Sequence, residues 1–173
     1  MKNDKKIKDL MISVFDYPHV PYWFTLRQAI KIVKISLSAN KQPLDPKAIL
    51  VFDEKYNLLG TLSLKDMVRG LEPKFLRPEI KAQLPEEDES GLSDIWNSLF
   101  NSDSREMAEK PVSEVMAPAK FFVEPEDTIT KAAYLMIHHD LPLLPVLENK
   151  KKFVGLVRMS EIFDEISSLI VKE

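Results

Sequence analysis

The stretch ILVFDEKYNLLGTLSLKDM, residues 49–67, returns as LPVLENKKKFVGLVRMSEI, residues 144–162. In both, a valine (Val51, Val146) stands nine positions before a glycine (Gly60, Gly155). An apolar run, a polar turn (EKYN, NKKK) and a second apolar run around the glycine predict a β-hairpin in each copy. The residues that follow do not repeat. Ser63 and Asp66 of the first copy correspond to Arg158 and Glu161 of the second.

The likeness extends outward. IKDLM, 7–11, matches VSEVM, 112–116, and FTLRQAIKIV, 24–33, matches DTITKAAYLM, 127–136. Leu26, Ala29, Ile30, Val33 and Leu37 fall at helical spacing, as do Ile129, Ala132, Ala133 and Met136. Each copy therefore predicts helix, strand, strand, helix, with a short extended piece in front (MISVF, FFVEP). The last helices carry Leu64, Met67, Val68 and Leu71 in one copy. In the other they carry Ile162, Phe163, Ile166, Leu169 and Ile170. The offset between copies falls from 105 (Met11 to Met116) to 95 (Gly60 to Gly155), so the first copy holds about ten extra residues. They fall around HVPYW and SANKQPLDP, both rich in loop formers. A unit of roughly 60 residues is marginal alone, so two copies packed sheet to sheet would share one core. The expected organisation is a first repeat over 1–71, a connection over 72–111 and a second repeat over 112–173. In the connection, Leu92, Ile95, Trp96, Leu99 and Phe100 predict an amphipathic helix after the acidic PEEDES.

Composition narrows the function. The 173 residues carry a net charge of −3, which offers no electrostatic case for nucleic acid or an anionic membrane. There is no cysteine, hence no disulfide or zinc–thiolate site, in keeping with a reducing compartment. No apolar run approaches the ~20 residues of a membrane span, and the charged N-terminus does not resemble a secretory signal. A cytoplasmic protein is expected. His138 and His139 are adjacent rather than four apart, so they do not form a helical metal pair. No nucleotide-loop, zinc-protease or serine-hydrolase motif occurs, and an enzyme has no positive support.

Ser63 and Asp66 admit two roles. One is a helix cap, with the serine oxygen accepting from the first turn and the acid reaching back. The other is a ligand seat, where the start of the helix meets a phosphate and the carboxylate takes the two hydroxyls of a ribose. In that case small Gly60 and Thr61 leave room for a ligand against the backbone.

In the order of these motifs, repeated twice, the chain resembles the CBS-domain pair, or Bateman module. The likeness rests on IKDLM and VSEVM, VEPEDTITKAAYLM, DLPLLPVLENKKKFVGLV and LLGTLSLKD, and spans about 7–71 and 112–170. It implies an α/β fold, a tandem pair of beta-alpha-beta-beta-alpha repeats with pseudo two-fold symmetry. It also implies a homodimer, and a regulatory role in which AMP, ADP or ATP binds between the repeats and a partner protein responds in trans. By position in that fold, Ser63 would contact phosphate and Asp66 the ribose. Ser13, Val14, Thr25 and the backbone near 47–49, including Ile49, would line the site. Arg158 and Glu161 depart from the pattern. Arg158 could meet phosphates; the expectation is one adenosine site, with the second cleft empty or Arg158 reaching the first site's phosphate tail. The alternative is a structural or interaction module with degenerate pockets.

Overall fold

The computed structural model describes residues 5–38, 48–72 and 102–171. The helix expected over 92–100 lies outside them, as does most of SANKQPLDP. Strands β1 (His19–Pro21), β2 (Ala48–Phe52), β3 (Leu58–Ser63) and β4 (Ala117–Pro118) form one sheet in that order. Strands β5 (Leu143–Glu148) and β6 (Lys152–Arg158) form the other. Helix α1 (Leu26–Ser38) precedes β2, and α2 (Leu64–Gly70) follows β3. After α3 (Ser102–Met107), α4 (Ile129–His138) and α5 (Met159–Ile170) bracket the second hairpin in the same way. The two hairpins are antiparallel, with Val51 opposite Gly60 and Val146 opposite Gly155, and each has a bulge one residue beyond the valine.

The repeats are not separate units. Ile12 pairs with Leu156 of β6, and Ala117 and Pro118 pair with Thr61 and Gly60 of β3. Each repeat's lead-in segment thus supplies the outer strand of the other repeat's sheet. The exchange is reciprocal in detail. The N–H groups of Ile7 and Lys8 donate to the carbonyls of Asp127 and Pro125 at 3.0 and 2.9 Å. Those of Val112 and Ser113 donate to Phe24 and Tyr22 at 2.7 and 3.1 Å. Side chains follow the backbone. Ile7 is fully buried among Ile129, Met136, Val146 and Val157, while Val112 is fully buried among Leu26, Val33, Val51 and Leu62.

The two glycines have their reason here. A Cβ on Gly60 would lie 2.3 Å from the carbonyl oxygen of Ala117, and one on Gly155 would lie 2.6 Å from that of Ile12. The space that the sequence reserves at these positions is filled by the other repeat's backbone. A third apolar cluster, with Val14, Tyr17, Leu50 and Phe52 against Leu143 and Leu156, joins the two sheets. This is the shared core that the small repeats require.

Two expectations change. MISVF does not run in front of its own first helix as FFVEP does. That place belongs to β1, parallel to β2, as Val123 is parallel to Val146. The strand lies inside HVPYW, which its proline, Pro21, marks as loop; at a sheet edge a proline's missing N–H costs no ladder bond. The final helices also bury less than their apolar stripes suggest. Met67 of α2 and Ile162 of α5 are buried, whereas Val68, Phe163 and Ile170 are 59%, 69% and 76% exposed. The sheet beneath each helix covers only one edge of a wide apolar face. On the inner side of α5, Glu165 is buried and paired with Lys5 of the exchanged segment at 2.6 Å.

Gly60→Ala and Gly155→Ala are each expected to lower stability by about 1–3 kcal/mol, because the clash is with backbone and not with a movable side chain. Urea unfolding measures this, and unchanged midpoints would contradict the exchanged packing.

Candidate functional site

Ser63 ends β3 and caps α2. Its Oγ accepts from the N–H of Asp66 at 3.1 Å, and the Asp66 carboxylate accepts from the Ser63 N–H at 3.0 Å. The Ser63 hydroxyl also donates to the same carboxylate oxygen at 2.6 Å. The other oxygen lies 3.6 Å from the Arg69 guanidinium. The arrangement is a complete capping box. Both residues are half-buried, with acceptor capacity left on the carboxylate.

The equivalent position in the second repeat is built from different chemistry. Glu161 accepts from the Arg158 backbone N–H at 2.9 Å, and from the guanidinium Nε at 3.0 Å and Nη2. The pair is largely sheltered, at 16% and 20% side-chain exposure. Arg158 is thus held by the adjacent acid, as a charge-assisted fork. His139, at the end of α4, stacks on Phe121 at 3.8 Å between ring centroids, and His138 packs against Tyr134.

The residues marked out in the sequence fall in several places. Ser63 and Asp66 are in contact, and Thr61 lies two residues back on β3, opposite Leu50 and Ala117. Ile49 is fully buried in the first repeat's core. Thr25 caps α1 through Gln28 and bridges to Pro111. Gly60 offers no room to a ligand, since Ala117 occupies that side. Ser13 and Val14 lie at the opposite end of the sheets. There the exchanged segments run toward the hairpin tips and border a cavity of about 610 Å³.

Both tips contribute to that cavity, with Lys55 and Tyr56 from β2–β3 and Lys151, Lys152 and Phe153 from β5–β6. Asp53 organises the first tip. Its carboxylate accepts from the Asn57 amide and from the N–H groups of Lys55 and Asn57, all at 2.8 Å. The Asn57 side-chain amide, then its backbone N–H, hold the Asp53 carboxyl below the usual carboxylate range. In the sequence, EKYN and NKKK register only as turns. The one lysine the two turns share in register, Lys55 with Lys150, is not what pairs them at the cavity, since Lys151 and Lys152 stand at the places of Tyr56 and Asn57.

The fold is that of two interlocked repeats around paired sheets. A family model, CBS domain, matches residues 112–168. Among solved structures, the chain is similar to a CBS domain-containing protein of unknown function from Bacillus anthracis. The identity is 22% and the TM-score 0.64, over 95% of this chain and 94% of that one. It is also similar to CBSX2 in complex with AMP, at 14% identity and TM-score 0.62, over 95% and 98% of the two chains. The cytosolic domain of the Mg2+ channel MgtE in complex with ATP matches at 20% identity and TM-score 0.60, over 94% of this chain. The chain spans only 49% of that protein's length. No curated protein sequence matches the chain. Residues 112–168 thus match the CBS-domain model, and the chain as a whole shares the fold of these CBS-domain structures.

Ser63→Ala and Asp66→Ala are each expected to cost about 1 kcal/mol through loss of the cap. The double variant is expected to cost less than their sum, because both act through one box. Chemical denaturation of the three variants measures the coupling; full additivity would show that the cap does not operate as a unit.

Proposed function

We propose that this chain is a non-catalytic regulatory module that binds an adenine nucleotide, AMP, ADP or ATP, and acts on a partner protein in trans. One observation carries the reading. A fold shared over 95% of the chain with an AMP-bound structure holds Ser63 and Asp66 in direct contact. The ribose diol would replace the Ser63 hydroxyl on the Asp66 carboxylate, freeing that hydroxyl for a phosphate. The backbone half of the cap would stay in place. Arg158 and Glu161 satisfy each other, so the proposal is for one such site rather than two. The nucleotide would favour one arrangement of the module, and the partner would read that arrangement.

The exposed apolar faces of α2 and α5 support assembly of two copies, since Phe163 and Ile170 otherwise stand in water. No helix among the described residues is long and apolar enough to cross a membrane, and we place the module in the cytoplasm. A second reading is an interaction module with a degenerate pocket. It is favoured by the completeness of the Ser63–Asp66 box without any ligand.

Isothermal titration with AMP, ADP and ATP decides between them. Binding of at least one is expected, weakened about tenfold or more by Asp66→Asn, with the variant's folding checked by its thermal midpoint. Absence of heat with all three, or equal binding by the variant, would leave the second reading.

A further inference from the structure

We propose that the cavity between the two hairpin tips is a second ligand site, for a small anion carried on a flat aromatic ring. It rests on residues other than the Ser63–Asp66 pair. Leu58, which borders it, and Ser63 stand at opposite ends of β3, roughly 17 Å apart at strand spacing.

Three observations converge. The first is size and construction. About 610 Å³ lies within the roughly 300–1,000 Å³ usual for small-molecule sites, and both repeats and both exchanged segments wall it. The second is charge. Lys55, Lys151 and Lys152 border the cavity and, among the described residues, no Asp or Glu lines it, Asp53 standing behind Lys55 in the first tip; the net charge of the chain is −3. None of the three lysines is ion-paired among the described residues. A concave surface with one sign of charge concentrates ligands of the opposite sign.

The third is apolar surface. Phe15 borders the cavity at 85% exposure and Tyr56 at 60%, with the half-buried Phe153 between the sheets. Tyr56 holds φ at 63°, a conformation rare for a bulky side chain, which costs of order 1–3 kcal/mol. Phe52 packs on its ring at 5.4 Å, and its hydroxyl bonds His19 Nε2 at 3.2 Å. Both contacts hold the ring at the cavity's edge. Rings supply the seat for a flat body, and lysines receive its phosphate or carboxylate. A molecule so placed would touch both repeats and fix the distance between their tips.

The test is titration of the full chain with 1-naphthyl phosphate, followed residue by residue by NMR. Shifts are expected at 55–58 and 151–154. Affinity is expected to fall about tenfold or more in Lys151→Glu/Lys152→Glu, and also in Ala119→Trp, which fills the cavity from an exposed position without changing charge. Lys31→Glu/Lys34→Glu on α1 alters net charge equally and is expected to leave affinity unchanged. Shifts at 61–66 instead, equal affinity in both tip variants, or no response up to about 10 mM would overturn the proposal. AMP binding that depends on Asp66 but not on the tip lysines keeps the two sites distinguishable, whichever of them fails.

Discussion

The contact on which the rest depends is a backbone carbonyl laid against a glycine, made twice. The Ile12 oxygen occupies the place of a Gly155 side chain, and the Ala117 oxygen that of a Gly60 side chain. Any larger residue would push the lead-in strand from the sheet. With that strand would go Ile7 from one core and Val112 from the other. Each buried methyl-rich side chain contributes on the order of 1.5–3 kcal/mol, a large part of what a repeat of this size can muster. Each repeat's core is consequently incomplete without the other's lead-in segment.

This interlocking also positions the chemistry. Because the exchanged segments enter beside β3 and β6 and leave toward the tips, one end of the paired sheets carries the helix caps and the other carries the cavity. At the capped end, the same backbone geometry is satisfied by two different sets of side chains. Ser63 and Asp66 form a neutral-donor box that retains acceptor capacity. Arg158 and Glu161 form an ion pair that uses its own charge. Divergence at matched positions has therefore kept the helix start while changing what else that position can hold.

Much of this was legible in the sequence. The hairpins, their turns, the helix before each and the cap at Ser63 follow from local periodicity and from the S-x-x-D spacing, which act over a few residues. The exchange was not legible. Ile12 and Leu156 leave no mark in each other's neighbourhood, and the fixed valine–glycine spacing, its one visible trace, is equally consistent with room for a ligand. Strand β1 was hidden because Pro21 signals a loop unless the strand is known to lie at an edge. The helical stripes were visible, but periodicity does not say what covers them, and α5 leaves most of its stripe uncovered. For the site, S-x-x-D marks a cap by itself. Nothing local distinguishes a turn rich in lysine from one of a pair that meet in space.

The ion pair between Lys5 and Glu165 spans 160 positions of sequence. The strand that completes the second sheet thus precedes the hairpin that receives it by well over a hundred residues. During synthesis the early segment has no docking place until the second hairpin has emerged. Contacts this distant along the chain slow folding relative to local ones. The interval leaves an unpaired strand edge open, and small glycines at that edge do little to discourage a wrong strand.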